Sequence, residues 1–184
     1  DWKDYQLIDS GNFEKLERFG AYFLIRPEPQ AIWNTSMPAD EWDRMANAWF
    51  KKEKNDPEKG RWMLRNDMPE QWLIKYDYKA MHIRLRLGLT AFRHIGVFPE
   101  QADNWNYIYD SLTSMHLPKQ RVLNLFAYTG GASLAARAAS AEVVHVDSVK
   151  PVINWARENM ESSGLTDIRW VVEDALKFAR REAR

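Results

Sequence analysis

Residues 121–184 alternate between short apolar runs and amphipathic stretches, and no other feature of the sequence constrains the fold as strongly. The predicted elements follow in the order strand Arg121–Phe126, helix from Ala132, strand Glu142–Asp147, helix Pro151–Ser163, strand Ile168–Glu173 and a helix opening at Ala175. Strands that alternate with helices form parallel sheets, because each helix crosses one face of the sheet to reach the next strand. The expected fold class of this part is therefore α/β.

The first 90 residues have a different pattern, which predicts a small α+β domain. Strands are predicted at Asp4–Asp9, Ala21–Arg26 and Arg61–Arg65, where aromatic and branched residues lie between turn residues. One amphipathic helix is also predicted, with a start near Ser36 and Pro38. Its buried stripe consists of residues at helical spacing, namely Trp42, Met45, Ala46, Trp49 and Phe50.

From Trp72 to Leu87 the apolar residues alternate with a period of two, but the phase of the alternation changes near Lys79. Such a change requires a turn, a bulge or a crossing between sheets. After Gly88 helical spacing begins, and the strand–helix series follows. We therefore expect an α+β domain at residues 1–90 and an α/β domain at residues 91–184.

The composition excludes several classes of protein. Apolar residues make up 45% of the 184 residues, which is enough to build a core. The chain has no cysteine, which excludes a disulfide framework and fits a reducing cytoplasm. The 26 basic residues balance the 26 acidic ones, so nucleic acid would have to bind at a local patch. No apolar run approaches the roughly 18 residues that span a bilayer, so no membrane partner is expected.

Both ends of the chain fall inside predicted elements. The chain starts at Asp1 without a methionine, and it stops at Arg184 within a predicted helix. We therefore expect it to be a fragment of a longer protein. The sequence does not predict an oligomeric state.

Three segments at the carboxyl ends of the predicted strands suit the binding of a nucleoside. The first strand runs into 124–131, where paired glycines allow a ligand to approach the backbone and the helix N–H groups closely. Asp147 ends the second strand, and a carboxylate there accepts hydrogen bonds from ribose hydroxyls. Asp174 follows the third strand, where a carboxylate accepts a hydrogen bond from an adenine amino group.

Each segment also has a purely structural interpretation. Gly130 and Gly131 fit a tight turn. Asp147 or Ser148 fits the N-cap of the helix at Pro151, and Asp174 fits the N-cap of the last helix. The combination of a glycine turn with acids at two successive strand ends favours a binding site over three unrelated structural roles.

The glycine spacing separates two classes of cofactor. The G-x-G-x-x-G pattern, with which dinucleotide-binding proteins approach a pyrophosphate, is absent. S-adenosylmethionine carries no phosphate, so it tolerates a looser turn with bulky residues such as Phe126 and Tyr128. The glycine spacing therefore favours S-adenosylmethionine over a dinucleotide as the cofactor, and a nicotinamide-dependent oxidoreductase is disfavoured.

The sequence resembles a known family in four segments. These are VLNLFAYTGG, VVHVDSVKPVINWARENMESSGL, VVEDALKF, and FRHIGVFPEQ with Asn104 and Trp105 after it. They are similar to class I S-adenosylmethionine-dependent methyltransferases related to the large-subunit ribosomal RNA methyltransferase I family. The resemblance covers about residues 60–184 and is strongest over 92–176. It implies a Rossmann-like methyltransferase sheet, here partial, preceded by the smaller α+β domain.

The resemblance also implies roles for particular residues. The methionine part of S-adenosylmethionine would lie against the backbone of Phe126, Ala127, Tyr128, Thr129, Gly130 and Gly131. Asp147 would bind the ribose, with Ser148 beside it, and Asp174 and Ala175 would lie at the adenine. Gln101 and Phe98 would lie near the cofactor. Asn124 departs from the broad methyltransferase pattern, in which Asp or Glu is common, so its contact with the cofactor stays open.

No residue of the chain is predicted to be catalytic. The family's Asp-Pro-Pro-type motif would follow the last helix, and the chain ends before it. No metal site is predicted, because among the four histidines only His82 and His94 are even moderately close in sequence. Methyl transfer would then depend on alignment and on the exclusion of water.

The predicted substrate is RNA, and this prediction rests chiefly on the resemblance. Residues 75–94 mix basic and aromatic side chains, which suits unpaired RNA, although a solvated strand face gives the same pattern. A base of ribosomal RNA is the expected target. A methyltransferase of the same fold acting on a small molecule or protein, and a non-catalytic RNA-binding module, are the alternatives.

Overall fold

The computed structural model describes residues 2–53, 59–65, 68–115 and 117–183. Its contacts divide the chain into two compact units, the first formed by residues 1–74 and 87–95 and the second by residues 75–86 and 96–184. The predicted loop at Lys51–Lys59 and the histidine at position 116 lie wholly or partly outside the described residues. A domain boundary at residue 90 stays a prediction.

The first unit contains a five-stranded sheet in the order β1-β2-β3-β4-β5. Its elements are β1 Tyr5–Gly11, β2 Glu14–Phe19, β3 Tyr22–Pro27, α1 Ala39–Met45, β4 Ala48–Lys52 and β5 Gly60–Leu64. Neighbouring strands are antiparallel except for the parallel pair β3–β4, which α1 connects. The core of this unit lies between α1 and the sheet and includes Leu16, Ile25, Trp42 and Ala46.

The predicted helix over residues 42–50 is wrong in its second half. Helix α1 ends at Met45, and Ala46 is already extended, with φ −63° and ψ 129°. Trp49 and Phe50 belong to β4, where Phe50 is buried and Trp49 half-buried, as expected for alternate faces of a strand. Pairing with β3 and β5 supplies hydrogen bonds that helical spacing cannot reveal. The predicted start near Ser36 and Pro38 is confirmed, with Pro38 at the N-cap position.

Strand β2 was not predicted, because charged residues hide its alternation. Glu17 is fully buried, and its carboxylate pairs with Arg26 of β3 at 2.6 Å. The hydroxyl of Tyr5 donates to the same carboxylate at 3.1 Å. A buried charge is tolerated when it is paired and hydrogen-bonded, so this strand holds a carboxylate where an apolar residue is usual.

Residues 71–88 form a hairpin of β6 Gln71–Tyr78 and β7 Met81–Gly88. The change of phase near Lys79 is confirmed as a turn, in which Lys79 has a φ of 51°. Ile83 and Leu85 of β7 are almost completely buried, whereas Arg84 between them is exposed.

The second unit contains a three-stranded parallel sheet in the order β10-β9-β8. Its elements are α2 Ala102–Ser114, β8 Arg121–Leu125, α3 Gly131–Ala138, β9 Glu142–Asp147, α4 Lys150–Ser162, β10 Ile168–Val172 and α5 Ala175–Glu182. A short 3₁₀ turn, Pro99–Gln101, precedes α2. The predicted α/β series is therefore confirmed, with boundaries shifted by about one residue. None of the helices in the described ranges combines the length and apolar character of a membrane span.

Candidate functional site

The loop that follows β8 alternates between ordinary and left-handed backbone. Phe126, Tyr128 and Gly130 have φ values of 55°, 51° and 95°. Left-handed backbone is unfavourable for residues other than glycine, so surrounding contacts must hold the loop. One such contact is the hydrogen bond from the Ala127 N–H to the Val146 carbonyl, 3.1 Å long. The loop is thereby fixed to the end of β9.

Helix α4 holds the same loop from behind through Asn159, whose side chain is fully buried. The amide Nδ2 of Asn159 donates to the Thr129 carbonyl at 2.9 Å, and its Oδ1 accepts from the N–H of Arg86 at 2.7 Å. The Thr129 hydroxyl donates to the Gly96 carbonyl at 2.6 Å. Both ends of a buried amide are thus satisfied, and the loop conformation depends on them.

Packing and backbone conformation within the protein require glycine at both glycine positions of the loop. A Cβ atom on Gly131 would lie 2.5 Å from the ring of Trp105, so α2 can pack on the start of α3 only if this residue is glycine. Gly130 has a left-handed φ, and its Cβ would lie 3.2 Å from Ala156. Of the two predicted reasons for these glycines, ligand approach and a tight turn, internal packing and backbone conformation already account for both residues without a ligand.

Asp147 joins the carboxyl ends of all three parallel strands. Its Oδ2 accepts from the N–H of Tyr128 at 3.0 Å, and its Oδ1 accepts from the N–H of Val149 at 2.9 Å. Its backbone carbonyl accepts from the N–H of Glu173 at 3.0 Å. Each carboxylate oxygen has a second lone pair, so the half-buried group is oriented by the backbone and can still accept hydrogen bonds from a ligand.

A cavity of about 300 Å³ opens beside this loop. Its lining consists of Leu85, Val97, Phe98, Gln101, Trp105 and residues 124–132. The rings of Phe98 and Tyr128 lie 5.1 Å apart at 45° and form one aromatic part of the wall. The first N–H groups of α3 have no partner within the helix, as at any helix start, and this end of the helix attracts negative charge. The cavity therefore combines apolar surface with a few directed polar groups, as small-molecule sites do.

The structure brings only part of the predicted site into this cavity. Residues 126–131 and Gln101 line it, although Phe126 is 78% exposed. Asp147 is joined to the loop through Tyr128. Residues that do not line the cavity are Asp147, Ser148, Asp174 and Ala175.

The N-cap interpretation is confirmed for Asp174 and wrong for Asp147 and Ser148. The Oδ1 of Asp174 accepts from the N–H of Lys177 at 2.9 Å and so caps α5. The cap position of α4 is Val149, which has no side-chain cap. The carboxylate of Asp147 is therefore not used to cap a helix.

A polar chain that the sequence analysis missed runs from the cavity into the core. Asn124 Nδ2 donates to Ser133 Oγ at 2.9 Å, and Ser133 Oγ lies 3.0 Å from Nδ1 of His145. Burial lowers the pKa of His145 to about 4, against the opposing effects of the Asp147 carboxylate and the Tyr128 backbone. The signal in the sequence was a histidine within the apolar strand 142–147.

At least two of the five lysines and arginines in the basic run over residues 75–94 pair with acids, and one histidine of the run contacts an aspartate. The pairs are Lys79 with Asp110 at 2.6 Å, Arg86 with Glu158 at 2.6 Å and His82 with Asp77 at 2.7 Å. The hydrogen bond from Lys79 raises its own pKa and lowers that of Asp110, so both groups stay charged. These contacts favour a solvated strand face over an RNA-binding patch.

The described part of the chain contains no cluster of three or more side chains that could hold a metal ion. The candidate site is a cavity at the carboxyl ends of parallel strands, where folds of this type bind their ligands.

No family profile matches the chain. Ribosomal RNA large subunit methyltransferase K/L of Shewanella frigidimarina is 33% identical over 111 residues, which cover 59% of this chain and 14% of that protein. Ribosomal RNA large subunit methyltransferase I of Aeromonas salmonicida is 33% identical over 101 residues, which cover 53% of this chain and 24% of that protein. The chain thus spans less than a quarter of the length of these two relatives.

Two solved structures resemble the chain over almost its whole length. An S-adenosylmethionine-dependent methyltransferase from Agrobacterium tumefaciens is 43% identical, with a TM-score of 0.88 over 97% of this chain and 55% of that one. A methyltransferase from Streptococcus mutans is 20% identical, with a TM-score of 0.69 over 98% of this chain and 49% of that one, and shows the fold alone. The chain has the Rossmann-like fold of class I S-adenosylmethionine-dependent methyltransferases and is related to the large-subunit ribosomal RNA methyltransferases I and K/L.

Proposed function

We propose that this protein is an S-adenosylmethionine-dependent methyltransferase that modifies a base of ribosomal RNA in the cytoplasm. One observation carries the proposal. The carboxylate of Asp147 accepts from the N–H of Tyr128, a residue of the cavity wall, and so joins a ribose acceptor to the loop 126–131. The names of the related proteins support both the reaction and the RNA substrate.

The methionine part of the cofactor would lie in the cavity against residues 126–131. Its carboxylate suits the start of α3, where backbone N–H groups and the helix dipole favour negative charge. The rings of Phe98 and Tyr128 offer apolar contact to the chain of the amino acid. Gln101 lies at the cavity wall, where its Oε1 accepts from Asn104 at 2.8 Å and its amide N–H groups are left for a ligand.

The ribose would bind at Asp147. Two backbone N–H groups hold this carboxylate in one orientation, so its remaining lone pairs are arranged before a ligand arrives. Two adjacent hydroxyls can each donate to one carboxylate oxygen. Ser148 is exposed directly after Asp147, where its hydroxyl can contact the same sugar.

The adenine would lie at the end of β10. The Oδ1 of Asp174 caps α5, which leaves Oδ2 to accept from the adenine amino group. Ala175 is buried and occupies the first position of α5, where its backbone N–H has no partner within the helix and would face the adenine ring. This part lies outside the cavity that contains the loop.

S-adenosylmethionine supplies a methyl group on a positively charged sulfur, which a nucleophilic atom of the substrate can accept. The residues of this chain bind and orient the ligand, and the apolar walls of the cavity exclude water from it. No described residue takes the role of the base or nucleophile.

The experiment that tests the proposal is a calorimetric titration of the protein with S-adenosylmethionine, with NAD as the control ligand. Micromolar binding of the first and none of the second is the expected result. A second assay follows transfer of a labelled methyl group to ribosomal RNA, to a small-molecule pool and to total protein. Folded protein that bound no S-adenosylmethionine would contradict the proposal. Methyl transfer only to small molecules or to protein would show that the substrate is not ribosomal RNA.

A further inference from the structure

Three polar groups connect the wall of the cavity with the buried side of the sheet. Asn124 on β8 lines the cavity, and its Nδ2 is 2.9 Å from the hydroxyl of Ser133 on α3. That hydroxyl is 3.0 Å from Nδ1 of His145 on β9. Ser133 and His145 are completely buried. Polar groups in such a position must satisfy one another, so the direction of each hydrogen bond is constrained.

The ring of His145 sets the direction of this chain. Burial lowers its pKa to about 4, so the ring is neutral near pH 7 and carries one proton. Ser133 contacts Nδ1, so the other ring nitrogen, Nε2, is the one that this hydroxyl does not engage. Within the described residues Nε2 has no hydrogen bond of standard geometry. A ring proton on Nε2 leaves Nδ1 as an acceptor for the Ser133 hydroxyl, in agreement with the amide Nδ2 of Asn124, which donates to that same hydroxyl.

A serine hydroxyl has one proton to donate. If Ser133 donates it to Nδ1 of His145, only lone pairs remain toward Asn124, and these accept from an amide N–H. The amide of Asn124 must then direct Nδ2 toward Ser133 and keep Oδ1 away from it. In the described part of the chain the only hydrogen bond of the Asn124 side chain is made by Nδ2, and Oδ1 accepts none. The reversed amide would place two lone-pair acceptors against each other.

We propose that Ser133 and His145 are positioning residues, which hold Asn124 with its carbonyl oxygen toward the cavity to accept a hydrogen bond from the ammonium group of a bound amino-acid moiety. The inference rests on the proposed function, since S-adenosylmethionine and its product carry this ammonium group. It explains how a neutral amide can serve at a position where a negative side chain would attract the ammonium by charge alone. The Asn124 amide binds the ammonium group only when its oxygen faces the cavity. Ser133 and His145, which are buried, hold the amide in that orientation.

The test compares two ligands that differ only in the amino-acid part. S-adenosylhomocysteine has the ammonium group, whereas 5′-methylthioadenosine keeps the nucleoside and the sulfur but has no amino acid. Replacement of the hydroxyl in Ser133→Ala frees the Asn124 amide to rotate. We expect about tenfold weaker binding of S-adenosylhomocysteine, as for one hydrogen bond to a charged group. Binding of 5′-methylthioadenosine should not change.

Ser163→Ala is the matched control. Its hydroxyl also makes short hydrogen bonds to backbone, with the N–H of Arg84 at 2.9 Å and the carbonyl of Asn159 at 2.7 Å, but it belongs to no contact of Asn124. This variant should keep the wild-type affinity for both ligands. Equal losses for both ligands in Ser133→Ala, or no loss for either, would overturn the positioning role. Wild-type protein that bound neither ligand would overturn the proposed function and this inference with it.

A second measurement needs no variant. Nitrogen-15 chemical shifts of His145 at pH 7 report which ring nitrogen carries the proton. A protonated Nε2 and an unprotonated Nδ1 are expected. A proton on Nδ1 would make Ser133 the acceptor, would turn the Asn124 amide the other way and would overturn the inference even if S-adenosylhomocysteine bound well.

Discussion

Two aspartates, one in each unit, show how the same group serves different purposes. Asp9 in β1 is buried and accepts four hydrogen bonds, from the backbone N–H groups of Ser10, Ser36 and Met37 and from the indole of Trp42. Asp147 at the end of β9 is half-buried and accepts two. The first carboxylate is saturated by its own protein. The second carboxylate is held in one orientation but can accept further hydrogen bonds. This difference identifies Asp147 as the group that is available for a ligand.

The largest effect is expected for Asp9→Ala. This change leaves the Trp42 indole and three backbone N–H groups without their acceptor, so we expect a loss of about 3 kcal/mol or more in the free energy of unfolding. The measurement is urea denaturation. Binding of S-adenosylhomocysteine by the fraction that stays folded should be unchanged, and a ligand defect of the folded variant would contradict the division of roles.

Asp147→Ala should give the opposite result, with a large loss of ligand affinity and a small loss of stability. Loss of two hydrogen bonds from ribose hydroxyls to a carboxylate should weaken binding of S-adenosylhomocysteine about a hundredfold. The unfolding free energy should fall by only about 1 kcal/mol, because the released N–H groups can reach solvent. The exposed carboxylate of Asp40 supplies the control, and Asp40→Ala should bind normally. An Asp147→Ala protein with normal affinity would refute the ribose site.

Asn159→Ala sharpens the comparison, because Asn159 supports both the structure and the loop. We expect a loss of about 2 kcal/mol in unfolding free energy, since the Thr129 carbonyl and the Arg86 N–H lose their buried partner. Affinity for S-adenosylhomocysteine should also fall, by less than in Asp147→Ala. Denaturation and calorimetry on the same samples separate the two effects. A variant that lost stability alone would show that the loop does not need this support.

The smallest effect concerns pH. Burial alone would raise the pKa of Asp9, but hydrogen bonds from Met37, Trp42, Ser36 and Ser10 outweigh it and lower the pKa below its ordinary value. The stabilisation by Asp9 is therefore complete above the unfolded pKa of about 4 and is lost as pH falls through the lower folded pKa. Denaturation between pH 6 and pH 2 should show this loss, and Asp9→Asn should reduce it. An unchanged slope in Asp9→Asn would place the acid sensitivity elsewhere.

The strand–helix series was predictable because the apolar pattern of each element lies within its own short segment of sequence. Strand 142–147 was predicted at its observed bounds, and α4 was displaced by one residue. The helix predicted over 42–50 failed because the partners of β4 in β3 and β5 are distant in sequence. Strand β2 was hidden because its buried acid, Glu17, finds its partner on another strand.

The candidate site was predictable in its strand ends but not in its supports. Asp147 was found because a carboxylate after a parallel strand has a defined position in such a fold. Ser133 and His145 could not be connected with Asn124 from the sequence, because they lie on different elements and meet only after folding. The need for glycine at position 131 was noticed, but its cause, the ring of Trp105, is visible only in the packed structure.

The most direct test of the central claim is a crystal structure of the protein with S-adenosylhomocysteine. The ribose hydroxyls should lie within hydrogen-bond distance of the Asp147 carboxylate, with the amino-acid part in the cavity beside residues 126–131. Both backbone hydrogen bonds to Asp147 should persist. A ligand bound elsewhere, or an Asp147 carboxylate directed away from the ribose, would contradict the account.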